Sequence, residues 1–289
     1  MGDDVIYTEY QDAESFLART RAALERQEAA NGLMLGLALR LVHTPNAFGS
    51  RLPYYATVQS EARLEAAALM TPPYKLQILT EGDPEQAGLE LLAEALLRGE
   101  WPVPGVMARQ AAAEAFAGIW HDKTGVSCRM GMRQRIYELR QVVPPDYPPG
   151  ELRPAEMEDL ELAQQWARGF YDDCFSDGHH ERTVAATEDK IRNRGLFFWV
   201  DGVPRSMAGR SRPTPHGEAI GFVYTPPSER RKGYASAVVA RLSQRILDDG
   251  RQFCTLYTDL SNPTSNSIYQ KIGYRPVADV VDLEFEDRP

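Results

Sequence analysis

Apolar positions switch along the chain between a helical rhythm and a strand-like one. Met157, Leu160, Leu162, Ala163, Trp166, Ala167 and Phe170 recur at helical spacing, which predicts a helix over about 156–175. A second helix follows over about 181–194, closed by Gly195. Leu196 to Val200 is an apolar run of strand length, and Asp201-Gly202 reads as a turn. Strands continue at about 204–212 and 217–225 around a turn at Pro213–Gly217. The next helix ends near Asp249, at Gly250. Phe253–Asp259 is a strand, Pro263–Ile272 a short helix stopped by Gly273, and strand resumes at Tyr274. The order is ααβββαβαβ.

The first half reads similarly. Helices fall at about 12–30, 31–42, 84–98 and 107–122, and strands at about 54–59, 63–70, 75–79 and 126–141. Met70-Thr71-Pro72-Pro73 echoes Tyr224-Thr225-Pro226-Pro227 about half a chain length later, each after a strand. Matching order and echo together predict a duplication. Four prolines between Val143 and Gly150 cannot continue a helix or an inner strand. The expected domains are therefore 1–142 and 151–289, joined by a Pro-rich linker at 143–150.

A length of 289 residues favours two domains, and 43% hydrophobic residues is ordinary for a globular chain. The net charge of −9 argues against a nucleic-acid surface. Gly32 to Val42, the most apolar window, carries Arg40 and is about half the roughly 20 residues of a membrane span. The start, MGDDVIYTEY, has neither the basic nor the apolar region of a signal peptide. Cys128, Cys174 and Cys254 form no paired motif. These features predict a cytoplasmic protein with no membrane or nucleic-acid partner. No metal site is expected, because the histidine cluster His179-His180 sits in a polar stretch and reads as a solvated loop.

Against this acidic background one basic segment stands out. Ala219 to Tyr224 is strand-like, Pro226-Pro227 stops it, and Arg230-Arg231-Lys232-Gly233-Tyr234-Ala235 opens a helix. The first N–H groups of a helix lack intrahelical acceptors, and its dipole favours an anion there. Gly233 permits close backbone approach. Such a turn suits a diphosphate.

These residues resemble the GNAT superfamily of acyl-CoA N-acyltransferases, whose diphosphate loop reads Arg/Gln-x-x-Gly-x-Gly/Ala. Here it stands as Arg230 to Ala235. A second family block, an Asn, a Tyr seven residues on, then Gly and an aromatic, stands as Asn262, Tyr269 and Gly273-Tyr274. The resemblance covers roughly 151–286 and implies two GNAT-like α/β (α+β) domains, each a mixed, mostly antiparallel sheet flanked by helices. The first, lacking a basic glycine loop, is expected to be degenerate.

The resemblance further implies acetyl-CoA as co-substrate and direct acetyl transfer to a primary amine on a small molecule. Main-chain N–H groups at about Arg231, Lys232, Gly233, Tyr234, Ala235 and Ser236 would grip the diphosphate, and the cations Arg230, Arg231 and Lys232 would steer and neutralise it. A bulged strand at Phe222, Val223 and Tyr224 would polarise the thioester. Tyr269, protonated at neutral pH, would serve the leaving thiolate as general acid, or else pack as an ordinary half-buried tyrosine. Asn262 would bind the pantetheine arm, cap the following helix, or do both. Glu218, Asp259 and His216 lie near the relevant strands but read as surface or capping residues, so no base is assigned. Cys254 reads as a buried thiol rather than a nucleophile. The acidic balance favours a cationic acceptor. The alternative to an enzyme is a CoA-binding sensor without turnover. Monomer and homodimer are both compatible with the sequence.

Overall fold

The computed structural model describes residues 5–60, 63–82, 85–174 and 180–286. The His179 of the histidine pair lies outside them. Among the described residues the first half runs β1 (Val5–Tyr10), α1 (Ala13–Arg26), α2 (Glu28–His43), β2 (Tyr54–Ser60), β3 (Arg63–Met70), β4 (Leu76–Thr80), α3 (Gln86–Arg98), β5 (Gly105–Ala108), α4 (Gln110–Thr124) and β6 (Cys128–Leu139). The second half continues with β7 (Glu151–Pro154), α5 (Leu160–Cys174), α6 (Glu181–Arg192), β8 (Leu196–Asp201), β9 (Val203–Ser211), β10 (Gly217–Tyr224), α7 (Tyr234–Asp248), β11 (Phe253–Asp259), α8 (Pro263–Lys271) and β12 (Arg275–Phe285). Both halves run β-α-α-β-β-β-α-β-α.

The chain divides into two compact units. One comprises 1–136, 259–261 and 277–289, and the other 137–258 and 262–276. In the first, strands run in the order β1-β2-β3-β4-β5-β12, with the first part of β6 beside β12. Neighbours are antiparallel from β1 to β4 and between β5 and β12, and β4 and β5 are parallel. Both faces are covered, which explains the unbroken apolar run of β3. Ala68 and Met70 pack with α3 and α4, while Ala67 and Leu69 pack with α1 and α2.

The second unit orders its strands as the end of β6, then β11-β10-β9-β8-β7. Alternation again splits two cores. Phe197, Trp199, Ile220, Cys254 and Leu256 share a cluster with Val238, Val239 and Leu242 of α7 and Tyr269 of α8. Leu196, Phe198 and Met207 share the other with Trp166 of α5 and Ile191 of α6.

Several sequence expectations shift. The strands that precede each helix pair, β1 and β7, are absent from those expectations; β7 has only four residues, whereas β1 has six and is strand-like in composition. The first helix pair breaks at Gln27 rather than near residue 30. The left-handed residue after α6 is Arg194, at φ +51°, and not Gly195. The Thr-Pro-Pro echo does not mark equivalent places: Thr71 follows β3, the second strand of its meander, whereas Thr225 follows β10, the third. The junction matching the basic loop is instead the one between β4 and α3, whose sequence Glu81-Gly82-Asp83-Pro84-Glu85 is acidic.

Candidate functional site

In the second unit β10 changes partners along its length. It pairs in parallel with β11 only from Gly217–Ala219 to Phe253–Thr255, and beyond that point the two strands run unpaired. On its other side the antiparallel register with β9 holds at Gly221↔Gly209 and resumes at Tyr224↔Met207, so one extra residue sits on β10. Phe222 takes up the bulge at φ +54°, an uncommon conformation for a non-glycine residue. The Phe222 ring stacks on Phe170 of α5 at 5.4 Å. The end of the strand is pinned by Ser206, whose Oγ lies 3.0 Å from the Tyr224 carbonyl oxygen and 2.8 Å from Thr225 Oγ1. Phe222 and Val223 therefore stand where β10 has left both its neighbours, and Tyr224 is paired again with β9 only.

A short 3-10 turn at Pro227–Glu229 leads from β10 into the basic loop. Arg231 at φ +64° and Gly233 at φ +87° both turn left-handed. Gly233 is the N-cap of α7 and supplies no side-chain cap, and the first turn of α7 holds no acidic residue. Among the described residues no hydrogen bond engages the N–H groups from Arg231 to Ser236. A Cβ on Gly233 would meet Pro148 only at ordinary contact distance, 3.6 Å, so the glycine is required by its φ rather than by crowding.

The three cations have different surroundings. Arg230 donates from Nε to the Thr225 carbonyl at 3.0 Å and pairs with Asp173 near the end of α5. Lys232 pairs with Glu229 at 3.1 Å, and Arg205 reaches the same carboxylate at 3.3 Å. Arg231 is exposed and has neither hydrogen bond nor ion pair among the described residues. Tyr234 turns inward; its ring is buried and its hydroxyl donates to Asp201 at 3.0 Å, so it offers only its backbone. Ala235 and Ser236 are half-buried in the first turn.

Tyr269 is buried on α8, between the rings of Tyr137 (6.5 Å) and Tyr274 (6.1 Å). Its hydroxyl has no hydrogen-bond partner among the described residues. Desolvation raises its pKa above the ordinary phenol value, and the nearby Cys174 thiol adds to the shift. Cys174 ends α5, so the phenol lies close to the helix that packs against the free end of β10. Asn262 is the N-cap of α8, accepting from Ser265 N–H at 3.0 Å through Oδ1, and Pro263 follows at N1.

The residues left without a role in the sequence are engaged otherwise. Glu218 is buried and bound by Arg210. Asp259 accepts from the Ser261 backbone and hydroxyl at 2.8 and 2.7 Å. Cys254 is fully buried, its thiol pushed up to about 12 chiefly by burial, which keeps it protonated and inert. No group of three or more metal-ligating side chains occurs among the described residues, and no helix among them is long and apolar enough to cross a membrane.

Residues 200–281 match the family model described as FR47-like protein. A sequence search of curated proteins gives no match. Solved structures resemble the whole chain in fold. A GCN5-related N-acetyltransferase from Sphaerobacter thermophilus is 15% identical, with a TM-score of 0.65, over 99% of this chain and 96% of that one. A GNAT-family acetyltransferase from Colwellia psychrerythraea is 13% identical, with a TM-score of 0.57, over 97% and 100%. A tandem GNAT protein from the clavulanic acid biosynthesis pathway is 13% identical, with a TM-score of 0.56, over 99% and 100%. The matched segment lies in the second half of the chain, and the whole chain shares the fold of these acetyltransferase structures.

Proposed function

We propose that the second unit acetylates the primary amine of a small molecule, with acetyl-CoA as donor. The observation that carries this reading is the row of unengaged N–H groups from Arg231 to Ser236 at the start of a 15-residue helix with an acid-free first turn. That row suits the diphosphate of CoA. Arg231 is the cation best placed to add charge. Lys232 is half exposed and its partner Glu229 is also held by Arg205, so a phosphate that draws the Lys232 ammonium away leaves that carboxylate paired.

The chemistry is direct transfer. The neutral amine nitrogen bonds to the thioester carbon, the C–S bond breaks, and sulfur leaves as thiolate. Backbone donors at the Phe222–Val223 bulge would stabilise the developing oxyanion, a contribution of about 3 kcal/mol for one such donor in other enzymes. Tyr269, whose hydroxyl has no partner among the described residues, would donate a hydrogen bond to the departing sulfur and relay a proton to it. The proton that the nitrogen sheds balances the one that sulfur gains.

The first unit would not bind the donor, because its corresponding junction carries Glu81, Asp83 and Glu85 in place of cations. Assay of thiol release on a panel of amines tests the activity. CoA-dependent stabilisation with turnover supports the enzyme, and binding with no turnover on any amine supports a sensor instead.

A further inference from the structure

Two arginines stand two residues apart at the end of β9 in opposite electrostatic surroundings. Arg210 donates to both carboxylate oxygens of Glu218, at 3.0 and 2.7 Å, and pairs with Asp249. Arg212, just past the strand, makes no hydrogen bond or ion pair with any described residue, and its Nε is buried. Its guanidinium carbon lies 5.4 Å from the centre of the Tyr257 ring. Burial without a counter-charge pulls its pKa below the ordinary arginine value. Its backbone is also left-handed, at φ +45°.

Arg212 as a whole is half-buried, but a guanidinium nitrogen cut off from water is costly unless paired. Several arginines of this acidic chain pair with carboxylates, as Arg153 does with Asp159. Arg205 illustrates this: its Nε is likewise buried without a partner, but its Nη1 reaches Glu229. Arg212 has no such compensation. Its position is suggestive as well. Tyr257 lies on β11 beyond Thr255, where pairing with β10 has ended. By strand alternation it shares a sheet face with Ala219 and Gly221, opposite the face on which Ile220 and Leu256 meet α7. A Cβ on Gly221 would enter open space. Gly221 thus leaves room on the Tyr257 face beside the parted strands.

We propose that Arg212 binds a carboxylate of the acceptor, so that the acetylated amine is an amino acid or a close analogue; this rests on the acetyl-transfer reading above. A guanidinium fork matches a planar carboxylate through two parallel hydrogen bonds, and the Tyr257 ring holds the fork in place. The acceptor is then a zwitterion rather than a polycation.

Calorimetry on the full chain with CoA present tests the assignment. N-acetyl amino acids are expected to bind at least tenfold more tightly than the matching carboxamides. Arg212→Gln is expected to remove that difference, and Arg212→Lys to keep part of it. Equal or absent affinity for acids and amides, in a chain that binds CoA, overturns the carboxylate role and leaves acetyl transfer standing. Discrimination of acids from amides without CoA binding overturns acetyl transfer instead. Inorganic phosphate binding more tightly than every N-acetyl amino acid also overturns the carboxylate role. Should Arg212→Gln fail to fold, the wild-type comparison of acid with amide decides.

Discussion

Arg230 is tied to Asp173 by an ion pair that joins the loop before α7 to the last turn of α5. The same guanidinium donates to the Thr225 carbonyl at the end of β10. Arg230 thus braces the loop, while its neighbour Arg231 carries its charge unopposed. The two substitutions should separate. Arg231→Ala should weaken CoA binding five- to tenfold, corresponding to about 1 kcal/mol for an exposed charge contact, and flatten its salt dependence. Arg230→Ala should act mainly on the loop's order and lower the melting temperature. Calorimetry at two salt concentrations and a thermal melt distinguish them.

Gly233→Glu should abolish CoA binding, because it forces a side chain into a left-handed conformation and places a negative charge beside the free N–H groups. Gly233→Ala isolates the first effect. It should cost about 1–2 kcal/mol of folding stability and reduce affinity only partly, since the added methyl meets no close neighbour. A thermal melt with and without CoA reads both.

Tyr269→Phe should reduce kcat by tenfold to a hundredfold and leave the KM for acetyl-CoA near its wild-type value. Among the described residues no hydrogen bond is lost with the hydroxyl, so the variant should fold. An unchanged kcat would remove the acid from the scheme.

The pH dependence has a definite sign. Burial raises the pKa of Tyr269 and Tyr274 in the folded chain and pushes Cys254 from 9.0 to about 12. The unfolded chain releases these protons first. Their contribution to stability is complete below about pH 9 and is lost progressively as pH rises toward 12 for Cys254 and beyond pH 10 for the tyrosines. Alkaline titration followed by circular dichroism should show stability falling from pH 9 upward. Removing one titrating group by Cys254→Ala should make that fall shallower.

Much of this fold was legible before the structure. The 3.6-residue stripe of Met157 to Phe170 and the unbroken run Leu196 to Val200 located a helix and a two-faced strand, because each buries an apolar surface that only one period can supply. The strand–loop–helix signal at Ala219 to Ala235 located the free helix N-terminus for the same local reason. Long-range features left no trace. β7 has only four residues and includes a proline, so nothing marks it until it pairs with β8. That Arg230 is paired while Arg231 is free depends on Asp173, 57 residues earlier. Arg212 drew no notice because its isolation is a property of its surroundings rather than of its neighbours in sequence.

The chain should bind one CoA. The acidic junction Glu81 to Glu85 would repel a diphosphate where the first unit would otherwise hold it, and calorimetric stoichiometry near one per chain is expected. A value near two would mean that the first unit has a donor site of another design.

Amide NMR during a titration with CoA tests the diphosphate cradle most directly. The account predicts that the backbone N–H resonances of Arg231 to Ser236 move downfield together and saturate at one equivalent. Binding of CoA that leaves those six resonances in place, or no binding at all, would contradict it.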